Sequence, residues 1–212
     1  MRVSDHRYNR DRLRFDLALR MIRHEARTCT IRAWTGLTDD RIRKLYRTYL
    51  LNQPASPVRR HRGKSPRRVD FFLRSPELLF ESSTLASILR ILELVPAVHA
   101  PPDPREPALG IERGERFCQA YETYLMLHRQ PRVSFEHAWF LLLALLKRDE
   151  LRLAACETCG RLFVRDVLGA QEPCCERCAA VADRASPRKR RATALNGRAA
   201  WPSWPVVART TR

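Results

Sequence analysis

The sequence predicts a mainly α-helical protein. It reads as a helical N-terminal domain with a helix-turn-helix-like segment, a small C-terminal four-cysteine zinc-ribbon-like module, and a disordered basic tail. Three observations carry this. Apolar residues recur at helix-face spacing through 11–52, 77–95 and 115–153. Two Cys-x-x-Cys pairs, Cys156/Cys159 and Cys175/Cys178, face each other across fifteen residues. After Cys178 the periodicity stops and the run RKRR appears. The corresponding boundaries are 1–150, 151–182 and 183–212.

Charge narrows the function. Forty Lys and Arg stand against 23 Asp and Glu, a net charge of +17. Such an excess points to a polyanionic partner, nucleic acid foremost. The first residues, MRVSDHRYNRDRLRFD, have no apolar signal region. The longest apolar run, AWFLLLALL over 138–146, is about half the length a spanning helix needs. The expectation is a cytoplasmic, nucleoid-associated protein without membrane contact. Disulfides seldom persist in that compartment. Seven cysteines, five of them between 156 and 178, therefore argue for metal.

The first helical stretch carries Leu17, Met21 and Ile22, then Ile31 and Trp34, on one face. Gly36 suits a helix end, because glycine takes the left-handed conformation without steric cost. Leu37 follows as an anchor, and Thr38 is a natural N-cap. Asp39 and Asp40 suit the positive end of the next helix dipole. Ile42, Leu45, Tyr46 and Tyr49 then form an apolar stripe, with Arg41, Arg43, Lys44 and Arg47 away from it. A helix, a short glycine turn and a basic second helix outline a helix-turn-helix. An ordinary helical corner with a solvated basic face has the same pattern.

The segment 53–69, QPASPVRRHRGKSPRRV, reads as a mobile basic loop fit to clamp a phosphate backbone. On 77–95, Leu85, Ile88, Leu89 and Leu92 share a face that Ile91, Leu94 and Val95 widen. Such a helix is buried in its own core or against another subunit. Residues 96–113 are a proline-rich connector. Two helices follow. The first, over 115–129, carries the stripe Phe117, Ala120, Tyr121, Tyr124 and Leu125, with Cys118 as a packing residue. The second, over 134–153, has Ser134 as cap, Glu136 in its first turn and Lys147 and Arg148 near its end. It is expected to run almost directly into Cys156. In the tail, Trp201 and Trp204 of WPSWP suit docking on a partner or plain disordered chain.

Zinc prefers a tetrahedron of borderline ligands, and four thiolates close that shell. Each Cys-x-x-Cys turn presents two sulfurs to one side of an ion. Gly160 permits the tight turn, Leu162, Phe163 and Val164 form a strand-like run, and 169–173 is a turn signal. The predicted ligands are Cys156, Cys159, Cys175 and Cys178, binding one structural Zn2+. Only Cys175 gives the symmetric spacing, so Cys174 is left as a free thiol or an alternative ligand. A redox dithiol accounts for only one pair. An iron–sulfur cluster also suits four cysteines. No nucleophile motif or Gly-rich phosphate loop occurs and the six histidines are scattered, so no enzyme is expected.

Several stretches together resemble the FlhC family, a subunit of the bacterial flagellar master transcription activator. They are TGLTDDRIRKLYRTY, SPRRVDFFLRSPELLFESSTL, AWFLLLALLKRDELRLAACETCG and CCERC, within 12–180. The resemblance implies an activator working in a hetero-oligomer of four FlhD and two FlhC subunits. It implies binding to double-stranded DNA upstream of flagellar promoters and recruitment of RNA polymerase. It also implies that the family's zinc ligands correspond to Cys156, Cys159, Cys175 and Cys178. The expected DNA contacts, read from the residues, are Arg41, Lys44 and Arg47 on the second helix of the pair. Arg59, Arg60, Arg62, Lys64, Arg67 and Arg68 of the loop add to them. The rivals are a zinc-ribbon RNA-binding protein, a basic nucleic-acid enzyme, an assembly subunit for an acidic partner, and a regulator of a non-flagellar regulon.

Overall fold

The computed structural model describes residues 3–52, 58–61, 63–98, 109–169 and 174–185. Outside them lie Arg62, residues 99–108 of the predicted 96–113 connector, and residues 186–212 of the predicted 183–212 tail, with Trp201 and Trp204. Contrary to expectation, a helix begins at Ile111 inside that connector and another runs to Ala185, into that tail. The described residues form eight helices and one two-stranded sheet. In chain order these are α1 (Val3–Arg23), α2 (Thr28–Thr35), α3 (Asp39–Asn52), α4 (Asp70–Leu73), α5 (Pro76–Ile91), α6 (Ile111–Leu127) and α7 (Phe135–Lys147), then β1 (Leu151–Ala155), β2 (Leu162–Asp166) and α8 (Glu176–Ala185). The chain is mainly helical, as its periodicity predicts. It divides into two units, Met1–Glu176 and Arg177–Arg212. Only the remainder of α8 is described in the second.

The first helical stretch breaks between α1 and α2, where periodicity shows nothing. The amides of Glu25 and Ala26 close the α1 end on Ile22 O and Met21 O, at 2.9 and 3.1 Å. Glu25 itself turns left-handed, with φ 59°. That costs a non-glycine residue about 1–2 kcal/mol. Its carboxylate offsets the cost by accepting Arg59 N at 3.1 Å and meeting His61 Nε2 at 2.8 Å. Both partners are more than thirty residues away, so the break has a tertiary cause. Gly36 behaves as expected, left-handed at φ 67° with its N–H on Arg32 O. Leu37, Ile42 and Tyr46 are buried behind it.

The core is aromatic. Phe117 on α6 stacks on Trp34 of α2 at 5.6 Å and meets Phe135 of α7 edge-on at 5.0 Å. Trp139 lies 4.9 Å from Trp34. The helices approach closely at Gly114, where a Cβ would sit 2.6 Å from Leu17 Cδ2. The apolar face of α5 is buried within the chain, through Leu85, Ala86, Ile88 and Leu89. The same helix buries Glu81, whose Oε2 accepts the Tyr124 hydroxyl at 2.5 Å and Arg132 N at 2.9 Å. A buried carboxylate needs such donors to offset lost hydration.

The last predicted helix is too long. Ser134 does cap α7, accepting His137 N at 3.3 Å. However, α7 stops at Lys147, and Arg148 turns left-handed at φ 60° with its N–H on Ala144 O. Residues 151–155, LRLAA, form β1 instead. Leu151 and Leu153 fit either period. The strand wins because β2 pairs with it antiparallel, Leu153 opposite Val164. Leu151, Leu153 and Val164 join the helical core, and Val164 N donates to Ser83 Oγ of α5 at 3.0 Å.

Candidate metal centre and basic surface

β1 delivers Cys156 to the start of a tight turn. Gly160, left-handed at φ 71°, closes it by donating its N–H to Cys156 O at 2.8 Å. Cys156 N donates in turn to Arg161 O at 2.9 Å. This knuckle aims Cys156 and Cys159 to one side. Cys175 precedes α8 and Cys178 lies in its first turn, so a spacing of three puts them on one face. The sulfurs of all four lie within 4.8 Å of one another.

Distances favour a metal site over a disulfide. Cys159 and Cys175 sulfurs are 3.7 Å apart. A disulfide requires about 2.05 Å, and none of the seven cysteines is in one. A tetrahedron with arms of about 2.3 Å has edges of about 3.8 Å. The spacing therefore suits thiolates around a single ion. An iron–sulfur cluster interposes its own atoms and holds its ligands farther apart. The surroundings favour thiolate: Cys175 N donates to Cys156 Sγ at 3.3 Å. That bond, with backbone donation from Cys159 and Thr158, pushes the Cys156 thiol down to about 6. Cys156 and Cys175 are buried, so the site is partly closed to water. Cys174 is outside the cluster, its sulfur 3.2 Å from Thr158 Oγ1. Arg161 braces the site by pairing with Glu176 at the start of α8. Cys118, the packing cysteine, is fully buried, which pushes its thiol up to about 12.

The basic residues predicted to meet DNA stand on two neighbouring segments. On α3, Arg41, Lys44 and Arg47 are exposed, and none has a carboxylate partner among the described residues. Asp39 and Asp40, which would oppose a polyanion, are neutralised locally. Asp39 pairs with Arg32 at 3.0 Å and Asp40 with Arg43 at 3.0 Å. The described parts of the basic loop are tied down, contrary to the expectation of a mobile clamp. Arg59 N and His61 bond Glu25, Gly63 O accepts Arg27 Nη1 at 2.6 Å, and Ser65 Oγ donates to Glu136 Oε2 at 3.2 Å. Arg60 lies over the Tyr46 ring of α3 at 5.8 Å, and the Tyr46 hydroxyl donates to Ala26 O. Loop and α3 thus converge on one corner, residues 25–27. Arg59, Arg60, Lys64, Arg67 and Arg68 keep exposed side chains there. Among the described residues Arg68 alone of the five has a carboxylate partner, Asp70 at 2.9 Å. Arg62 lies outside the described residues.

Two residues that matter here escaped the sequence reading. Glu25 gives no local signal. Glu136 reads as a dipole-compensating acid in the first turn of α7, yet it is buried and accepts Arg27 N at 2.8 Å. Among the described residues no helix is long and apolar enough to cross a membrane. Compared with known proteins, the chain matches no family model and no curated protein.

Proposed function

We propose that this chain is a zinc-stabilised, DNA-binding transcriptional activator subunit of the FlhC type. In this reading the α2–α3 pair is a helix-turn-helix. Its second helix presents Arg41, Lys44 and Arg47 to duplex DNA, and the anchored loop adds phosphate contacts. One observation carries it: Arg41, Lys44 and Arg47 of α3 have no carboxylate partner among the described residues, while Asp39 and Asp40 beside them pair with Arg32 and Arg43. A surface evolved only for solubility gains nothing from that sorting. A polyanion-binding surface does, because every unpaired cation can release a counterion.

The four sulfurs would hold one zinc ion, which supplies no chemistry here. With all positions taken by thiolate there is no site for water or substrate. Its work is to fix the knuckle and the start of α8 against each other. By resemblance, the subunit would assemble with an FlhD-like partner in the cytoplasm, bind upstream of flagellar promoters and contact RNA polymerase.

The test is fluorescence anisotropy with duplex DNA and a structured RNA of equal length, across a salt series. Duplex DNA is expected to bind the tighter. Arg41→Gln or Arg47→Gln should each flatten the slope of log K against log salt by about one unit. Preference for the RNA, or slopes unmoved by every α3 and loop variant, would overturn the reading. Elemental analysis is expected to give one zinc per chain.

A further inference from the structure

Several partly buried arginines of this protein are matched with acids. Arg20 pairs with Glu115 and Glu122, Arg27 with Glu136, and Arg161 with Glu176. On the hairpin, Arg152 stands directly opposite Arg165. Directly opposed residues share a face with Cβ atoms about 5 Å apart, and like charges so placed destabilise the pair. A guanidinium cannot shed its proton to relieve this. Neither arginine has an ion pair among the described residues. Three of their N–H groups, Arg152 Nε, Arg165 Nε and Arg165 Nη2, are buried without any acceptor.

The juxtaposition cannot be relaxed by sliding the strands. On the other face Leu151, Leu153 and Val164 belong to the main core. Val164 N is also fixed to Ser83 Oγ. A slip of one residue would turn those side chains out to solvent. The core thus holds two permanent cations side by side on a rigid support, with donors left over. Buried unsatisfied donors are rare and costly in folded proteins.

We propose that Arg152 and Arg165 form a phosphate-binding site, whose ligand is the sugar-phosphate backbone of duplex DNA. A carboxylate is filled by a single guanidinium fork. Two forks on one face call for a group with more acceptor positions around one centre, and a phosphate has them. The shared chemistry is a phosphate oxyanion, which inorganic phosphate also supplies. The assignment of DNA as its source rests on the proposed function, whereas the site itself does not.

The experiment uses the full-length, metal-replete protein and the variant Arg152→Gln/Arg165→Gln. Thermal melting is followed in sodium phosphate and in sodium chloride of equal ionic strength. The wild type is expected to gain about 2–4 °C more from phosphate than the variant gains. In chloride the variant should melt no lower than the wild type, because a like-charge contact has been removed. If the double variant does not fold, Arg165→Gln alone is read in the same way. Equal phosphate gains in wild type and variant overturn the site. Anisotropy with duplex DNA then identifies the source. A slope in log K against log salt that is flatter by about one unit in the variant assigns the DNA backbone. An unchanged slope beside an intact phosphate gain overturns DNA as the source in favour of free phosphate. A wild type that binds no DNA yet keeps its phosphate gain would sink the proposed function and leave the site standing.

Discussion

Between α1 and α7 the chain buries aromatic rings against one another, whereas from Cys156 onward it gathers four sulfurs around a short hairpin. The body has area to spare: Phe117, Phe135, Tyr124 and Trp34 are all buried at helix junctions. Among its described residues the cysteine end buries, besides cysteines, only Phe163 and the base of the hairpin. Apolar burial yields about 25 cal/mol per Å², and a segment that short cannot offset the entropy of its own ordering. A metal ion held by the four sulfurs would supply what area does not. The two regions should therefore fail differently.

Loss of a ligand has the largest expected effect. Cys175→Ser removes a fully buried sulfur whose own N–H also supports Cys156. Metal content should fall from one equivalent to none, and structural sites of this kind carry of order 10 kcal/mol of folding free energy. Hydrogen exchange should show protection lost from 156 to 161 and 174 to 185, with β2, α5 and α6 still protected. If the whole chain melts as one unit, the contrast between the regions collapses.

Phe117→Ala attacks the other region. The ring touches Trp34, Phe135 and Trp139, with centroids between 5.0 and 5.9 Å. Its loss should cost about 3–5 kcal/mol, read as a lowered urea midpoint, with the metal still bound. A metal content that falls with body stability would show the cysteine end depending on the body for its shape.

How much of this was legible follows the same division. The cysteines were legible because coordination fixes residue type and spacing, and the four named by spacing are the four brought together. The stripe Phe117, Ala120, Tyr121 and Tyr124 was legible because one helix face suffices to define it. Gly36 and Ser134 were legible as local end signals. What failed depends on distant partners. Glu25 adopts its left-handed turn on account of Arg59 and His61. LRLAA becomes a strand because LFVRD lies opposite. The Arg152–Arg165 juxtaposition exists only once a register is chosen, and the core chooses it.

Acid sharpens the comparison with the smallest effect. Glu122 of α6 accepts from Arg20 Nε at 2.9 Å and Nη2 at 2.6 Å, and meets His24 Nε2 at 2.9 Å. Chiefly through the Arg20 bond, its carboxyl is held at about 2 against an ordinary value of 4.5. The folded value is the lower one, so the carboxylate contributes stability that is complete above about 4.5 and is lost as pH falls toward 2. The group is partly exposed, so salt screens the contribution and keeps it small. The melting difference between wild type and Glu122→Gln should be constant at neutral pH, shrink below about 4.5 and vanish near 2. The cysteine end should respond sooner, because thiolates must be deprotonated to hold metal. Metal release on acidification should therefore precede the convergence of the two melting curves. Convergence before any metal is released would reverse the order and place the weaker acid-sensitive joint in the body.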